Sequence, residues 1–178
     1  MRLRQISRIT TNGNLQGVYI MELRKVDSEN IWKIVKLSVF DEQKGFVATN
    51  TESILEAYVT ITAGGTALPF GLYDDDNLVG FIMFGYGTVG DEDEPMIAAS
   101  NYCLWRFMID KMYQRQGLGK KAMHVALNYL KTYPCGAADS VWLSYEPENI
   151  AAKTLYSAMG FIENGEMCGD EIVAVRKL

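Results

Sequence analysis

The chain has 178 residues, 48% of them hydrophobic and 22% charged, which suits one globular domain with a sizeable core. Its 17 basic and 22 acidic residues leave a formal charge of −5, which argues against a nucleic-acid partner and suits a cationic or neutral small molecule. Three scattered cysteines and one histidine are too few for a disulfide framework or a zinc site, so we expect no metal and a cytoplasmic protein. Since no run of about 18 apolar residues occurs, we expect no membrane partner.

The first twenty residues contain three arginines but no continuous apolar segment, so they do not form a secretory signal. The sequence MELRKV begins again at Met21 like a natural start. We therefore expect residues 1–20 to be a remnant of recombinant expression or an upstream extension, and residues 21–178 to form the domain.

Hydrophobic periodicity predicts alternating helices and strands along the domain. Ser28 is placed to cap a first helix, in which Ile31, Ile34, Val35 and Ser38 share one face. The strand at 102–109 is almost wholly apolar, which is typical of a central strand buried on both faces. The predicted elements are strand 19–26, the first helix, a helix near 51–63, a hairpin over 68–87, strand 102–109, helix 117–131, strand 140–146, a helix from 149, and strands 161–167 and 171–178. This order predicts a single mixed α/β domain.

Gly117 and Gly119 lie between the central strand and the next helix, where successive N–H groups can bind an anion. The P-loop motif fails, because Gln114 and Lys121 occupy the positions that require Gly and Ser or Thr. The dinucleotide fingerprint fits at Gly117, Gly119 and Ala122. It also requires an acidic residue at the end of the next strand, about 20 residues further on, and Asp139 lies instead at the beginning of that strand.

A third interpretation includes the residues before the glycines. Residues 114–119 fit Q-x-x-G-x-G, and residues 149–161 fit N-x-x-A-x-x-(L/F)-Y-x-x-x-G-F, with a predicted strand between the two motifs. With these two motifs the chain resembles the GNAT superfamily of acetyl-CoA-dependent N-acetyltransferases. Residues 40–58 and 106–123 further resemble bacterial spermine/spermidine (diamine) acetyltransferases. The resemblance implies a mixed, mainly antiparallel sheet of about seven strands, flanked by helices and splayed at its central strands.

The resemblance also implies a site in which an amine attacks acetyl-CoA directly in a ternary complex. Tyr156 would give its proton to the departing CoA thiolate, and a backbone N–H of the central strand would stabilise the oxyanion. Asn149 would hold the pantetheine arm or a nearby backbone group. The remaining cofactor-binding residues would be Phe107, Met108 and Ile109 along the pantetheine, and Gln114, Arg115, Gln116, Gly117, Leu118, Gly119 and Lys120 around the pyrophosphate.

The general base cannot be transferred from the resemblance, because Trp105 stands where several related polyamine enzymes carry glutamate. The candidates left open are Asp41, Glu42, Glu52 and Glu146. For the acceptor we expect a polyamine, attracted by Asp41, Glu42 and the acidic residues 91–94, with Glu92 chosen among them. A protein N-terminus, an aminoglycoside and a non-catalytic CoA-binding module are the alternatives. The expected partner is a small-molecule amine, and a homodimer is left open.

Overall fold

The computed structural model describes residues 21–88, 90 and 92–178, so the expectation for residues 1–20 lies outside the described residues. The predicted order of elements is confirmed there. The helices and strands are β1 (Met21–Lys25), α1 (Ile31–Ile34), α2 (Asn50–Thr62), β2 (Ala67–Asp74), β3 (Asn77–Tyr86), β4 (Tyr102–Ile109), α3 (Leu118–Leu130), β5 (Ser140–Tyr145), α4 (Ile150–Ala158), β6 (Ile162–Cys168) and β7 (Glu171–Lys177).

The strands form one seven-stranded sheet in the order β1-β2-β3-β4-β5-β7-β6. Every neighbouring pair is antiparallel except β4 and β5, which run parallel. The parallel pairing comprises only Tyr102 with Val141 and Cys103 with Trp142, although both strands continue for several residues. The predicted mixed, mainly antiparallel sheet with a splay at its centre is therefore confirmed.

The central strands are apolar because both faces of the sheet are covered. In β3, Ile82 and Phe84 pack into the larger core with residues of α3 and α4. The alternate residues Phe81 and Met83 pack on the other face with Ile34 of α1 and residues of α2. A strand buried on both sides has no polar face, which explains its continuous apolar sequence.

The first helix is shorter than the sequence predicted. Asp27, rather than Ser28, accepts the free N–H groups of Glu29 and Asn30, at 2.9 and 3.1 Å. The helix ends at Ile34, so Ser38 lies beyond it. The Ser38 N–H donates to a carboxylate oxygen of Asp110 at 2.9 Å, which holds this segment against the end of β4 instead of in a helix.

The end of α4 is capped at Gly160 and Phe161. Gly160 adopts φ +83°, and its N–H donates to the Ser157 carbonyl at 3.0 Å. The Phe161 N–H donates to the Tyr156 carbonyl at 3.0 Å, and the Phe161 ring is buried. These two bonds form a Schellman cap, which fixes the end of the helix that carries Tyr156. No helix in the described part of the chain is both long enough and apolar enough to cross a membrane.

Two glycines of β3 give a test of the sheet. A Cβ added at Gly80 would lie 2.4 Å from the Met108 carbonyl oxygen, whereas one at Gly85 would meet nothing closer than 3.6 Å. We expect Gly80→Ala to lower the free energy of unfolding by about 1–3 kcal/mol, the usual cost of overpacking. Gly85→Ala is the matched control and should stay within about 0.5 kcal/mol of the parent. Urea unfolding measures both, and equal stabilities would contradict the close approach of β3 to β4.

Candidate active site

The splay leaves one side of β4 without a strand partner. The Asp110 N–H donates to the Val79 carbonyl at 2.9 Å, and the Met108 carbonyl also faces β3 because it lies so close to Gly80. Backbone groups alternate along a strand, so Phe107 and Ile109 turn theirs toward the gap between β4 and β5. Phe107, Met108 and Ile109 were the three residues predicted to pair with the extended arm of the cofactor. Phe107 and Ile109 direct their backbone groups into the gap, whereas those of Met108 face β3.

The loop between β4 and α3 is held by two side chains. Asp110 is 7% exposed, and its carboxylate accepts from the N–H groups of Ser38 and Met112 at 2.9 and 3.0 Å. Gln114 donates to the Gln43 side chain at 2.8 Å and to the Ile109 carbonyl at 3.0 Å. Gln114 therefore orients the loop rather than presenting its amide to a ligand. The sequence interpretation missed Asp110, whose only signal was a charged residue directly after an apolar strand.

The same loop is shaped to bind an anion. Arg115 and Gly117 adopt left-handed backbone conformations, with φ values of 62° and 76°, and Gly117 is the N-cap of α3. Such a turn directs successive N–H groups into one concavity, and the helix dipole adds partial positive charge. The first N–H groups of a helix have no partner within it, and these lie at the open end of the gap. The predicted residues brought together here are Arg115, Gln116, Gly117, Leu118, Gly119 and Lys120.

Their side chains differ in role. Leu118 is buried in the core, so only its backbone is available to a ligand. Gln116 donates to the Met112 carbonyl at 3.2 Å, and Lys120 is exposed beside the helix start. A Cβ added at Gly119 would lie 3.6 Å from a methyl group of Leu155, so the glycine faces α4.

Asn149 and Tyr156 lie at the start and near the end of α4. The Asn149 side chain accepts the Ala152 N–H at 3.1 Å and is the N-cap of the helix. Tyr156 is 9% exposed and packs between the rings of Tyr145 and Phe161, each with its centroid 5.9 Å away. Burial raises the pKa of the Tyr156 phenol well above its ordinary value, and the nearby Glu171 carboxylate adds to the shift. The phenol is therefore protonated at neutral pH and available as a donor.

A cavity of about 500 Å³ covers the gap on the face opposite α4. Four of its lining residues are acidic, whereas its one cationic residue, Arg106, is paired with Glu56 of α2 at 2.9 Å. The cavity is therefore suited to a cation. The lining residues are Gly85, Gly87, Glu92, Asp93, Glu94, Cys103, Leu104, Trp105, Arg106, Trp142, Ser144, Cys168, Gly169 and Glu171.

The structure divides the predicted acceptor-binding residues. Glu92 lines the cavity, together with Asp93 and Glu94, while Asp91 is outside the described residues. Asp41 and Glu42 instead lie in a segment that is bound to the loop between β4 and α3 (the phosphate-side loop), where Gln43 contacts Gln114. Asp41 is paired with Lys44 at 2.6 Å. The expectation that these two residues join the acidic loop is thus corrected, because Ser38 and Gln43 attach their segment to the opposite end of β4.

Trp105 occupies a β-bulge. Met83 pairs with Arg106 and the next residue, Phe84, pairs with Leu104, which leaves Trp105 as the extra residue of β4. Trp105 lines the cavity and packs beside the core that contains Phe81 and Met83, so a carboxylate is absent from this point of the strand. The sequence interpretation also missed Glu171, Ser144 and Trp142, which β5 and β7 bring to the same cavity.

A sheet with an open strand edge beside an N–H-lined helix start can hold a long ligand that is extended at one end and anionic at the other. This arrangement fits the pantetheine and pyrophosphate of a CoA thioester, and it defines the class of an acyltransferase. The chain belongs to the Acetyltransferase (GNAT) family, whose family model matches residues 29–161. It is an N-acetyltransferase that uses acetyl-CoA as its co-substrate.

Relatives of known name support this assignment. The Spermine/spermidine N(1)-acetyltransferase of Bacillus subtilis (strain 168) is 40% identical over 114 residues, which are 62% of this chain and 70% of that protein. The Probable spermine N(1)-acetyltransferase of Bacillus subtilis subsp. natto (strain BEST195) shows the same identity and coverage.

Solved structures share the fold. The spermidine N-acetyltransferase from Vibrio cholerae, in complex with CoA and spermine, has a TM-score of 0.61 at 18% identity, over 89% of this chain and 94% of that one. The aminoglycoside acetyltransferase AAC(6')-Ib with coenzyme A has a TM-score of 0.70 at 14% identity, over 89% and 95%. At these identities the likeness concerns the fold alone.

The space beside Gly119 gives a test of the cofactor path. Because an alanine Cβ would make only an ordinary contact with Leu155, we expect Gly119→Ala to fold with at least parental stability. We expect the larger Gly119→Val to raise the dissociation constant of acetyl-CoA about tenfold or more, since its branches would enter the approach to the helix start. Calorimetric titration with acetyl-CoA measures this. Unchanged affinity in a folded Gly119→Val protein would contradict a cofactor path beside Gly119.

Proposed function

We propose that the protein transfers the acetyl group of acetyl-CoA to a primary amine of a polyamine such as spermine or spermidine. The observation that carries this proposal is the acidic cavity directly over the open edge of β4. Four carboxylates face it, and its one lining cation is neutralised by Glu56. Of the two Bacillus relatives, one is named for spermine and spermidine and the other for spermine.

The cofactor would lie in the gap between β4 and β5, where it supplies an acetyl group activated as a thioester. The backbone of Phe107 and the N–H of Ile109 would pair with its extended arm. The N–H groups from Arg115 to Lys120 would bind its phosphates. Gln114 would act indirectly, by holding the loop between Gln43 and the Ile109 carbonyl.

Tyr156 and the cavity lie on opposite faces of the gap, so the acceptor amine and the proton donor would approach the thioester from different sides. The Tyr156 hydroxyl would donate to sulfur as the C–S bond breaks. Burial raises the pKa of the Cys103 and Cys168 thiols that line the cavity, so neither side chain is an activated thiolate. This supports direct attack by the amine rather than transfer through an acetyl-cysteine.

The partners we propose are small amines, with no nucleic acid and no membrane, in keeping with the charge of −5. The cytoplasm remains our prediction for the compartment, and a homodimer remains open. The acidic residues Asp41 and Glu42 are not part of the proposed acceptor site.

Removal of the Tyr156 hydroxyl tests the proton donor. Tyr156→Phe keeps the packing against Tyr145 and Phe161, and we expect kcat to fall about 100-fold or more while acetyl-CoA affinity is kept. A raised pKa means that the phenol keeps its proton at every pH below that value, so parental kcat should not decline in mildly alkaline buffer. Steady-state kinetics measure kcat of the variant and the pH dependence of the parent. Near-parental turnover of the variant would show that the role of Tyr156 is structural.

An amine panel tests the acceptor. Spermine and spermidine should have higher kcat/KM than monoamines of similar length, because each further ammonium group adds about 1 kcal/mol per close carboxylate in water. Added salt should reduce this preference, since exposed charges are screened beyond about 10 Å at 0.1 M. Thiol release in the presence of each amine measures the rates. A preference for an aminoglycoside or a peptide N-terminus would reject the polyamine and keep the acetyltransferase.

A further inference from the structure

The carboxylates considered from the sequence as proton acceptors do not reach the cavity. Glu52 accepts from the Thr49 N–H and hydroxyl at 2.8 and 2.7 Å, as part of the capping box of α2. Asp41 and Glu42 lie beside the phosphate-side loop, and Glu146 is not among the residues that line the cavity. Trp105 excludes a carboxylate from the bulge of β4. The remaining candidates are the four acidic residues of the cavity itself.

Glu171 differs from the other three. It is half-buried at the start of β7, where the Ser144 hydroxyl donates to its carboxylate. Its strand pairs with β5 beside the gap, and it lines the cavity together with Ser144 and Trp142 of β5. Glu92 and Asp93 are exposed on their loop, and Glu94 accepts the Gly90 N–H at 3.0 Å. Glu171 is therefore the carboxylate that lies opposite the proton donor.

A second feature of the cavity points to a ligand at this place. Trp142 is 5% exposed and lines the cavity, yet its indole N–H has no hydrogen-bond partner within the described part of the chain. A buried donor without a partner costs about 1–3 kcal/mol, which a bound ligand or water would recover. Trp142 pairs with Cys103 at the last contact between β4 and β5, so this donor lies where the gap opens.

We propose that Glu171 is the general base, which takes the proton from the substrate ammonium before attack, with Ser144 orienting its carboxylate. The inference rests on the proposed function, because it requires an amine that arrives protonated. The neutral nitrogen then forms a C–N bond to the acetyl carbon, and the C–S bond breaks. Tyr156 gives a proton to sulfur and regains one from solvent. Glu171 passes to solvent the proton that it took before attack and the second proton that the nitrogen loses as the amide forms.

Several charged and titratable groups surround Glu171 and share its environment. They are Arg106, Cys103, Cys168, Tyr156, Glu92, Asp93 and Glu94. A test must therefore separate loss of the base from a general loss of negative charge. Asp170, the exposed neighbour of Glu171 in the turn between β6 and β7, offers the same change of charge outside the cavity.

The experiment compares Glu171→Gln, Glu171→Asp and Asp170→Asn, with acetyl-CoA and spermine as substrates. We expect Glu171→Gln to lower kcat/KM for spermine about 100-fold or more at pH 7.5, with acetyl-CoA affinity unchanged by calorimetry. Its rate should rise about tenfold per pH unit toward the pKa of the amine, because only the neutral amine can then react, whereas the parent rate levels off. Glu171→Asp should recover part of the rate and the level profile, and Asp170→Asn should stay within about twofold.

Three results would overturn the assignment. A folded Glu171→Gln protein with a parental pH profile would show that the base lies elsewhere. A rise in KM alone, with kcat and the pH profile unchanged, would assign Glu171 to ammonium binding. If Glu171→Gln does not fold, Glu171→Asp provides the test. A Glu171→Asp protein with parental acetyl-CoA affinity, whose rate rises tenfold per pH unit, would also reject Glu171 as the general base. Absence of turnover by the parent with every polyamine would instead reject the proposed function, and the inference with it.

Discussion

The separation of β4 from β5 after the Cys103–Trp142 pair is the constraint on which the rest of the site depends. Beyond that pair, the backbone of Phe107 and Ile109 has β3 on one side and no strand on the other. Unpaired backbone groups inside a protein are costly unless a ligand or water satisfies them. A ligand that pairs like an added strand removes this cost, which makes an extended cofactor arm a natural occupant of the gap.

Each side of the gap is held by a different part of the fold. The strand β4 is anchored to α2 through Arg106 and Glu56, and through Asn50, which donates to the Met108 sulfur at 3.9 Å. The strand β5 is anchored along its length to β7. The two anchors leave an acidic cavity on one face and the buried phenol of Tyr156 on the other. Groups that would accept and donate protons are thereby kept apart by the cofactor.

The elements of the fold could be predicted from the sequence because their signals are local. The apolar run of β4, the glycines before α3 and the cap at Asn149 each depend on residues close in the chain. The path of the segment that carries Asp41 and Glu42 could not be predicted, because hydrogen bonds from Ser38 to Asp110 and from Gln114 to Gln43 decide it. The role of Gln114 was hidden for the same reason, since both of its partners lie outside its own motif.

The place of Glu171 in the cavity could not be predicted from the sequence either. In the sequence it is one of many acidic residues, and it follows a turn near the end of the chain. Only the register of β7, with Ile172 opposite Tyr145 and Val173 opposite Ser144, brings its carboxylate to the Ser144 hydroxyl. Trp105 occupies the bulge of β4, whereas β7 supplies a carboxylate to the same cavity from the other side of the gap. The proposed proton acceptor can therefore lie on β7 rather than on β4, because the cavity requires a position in space and not a position in the sequence.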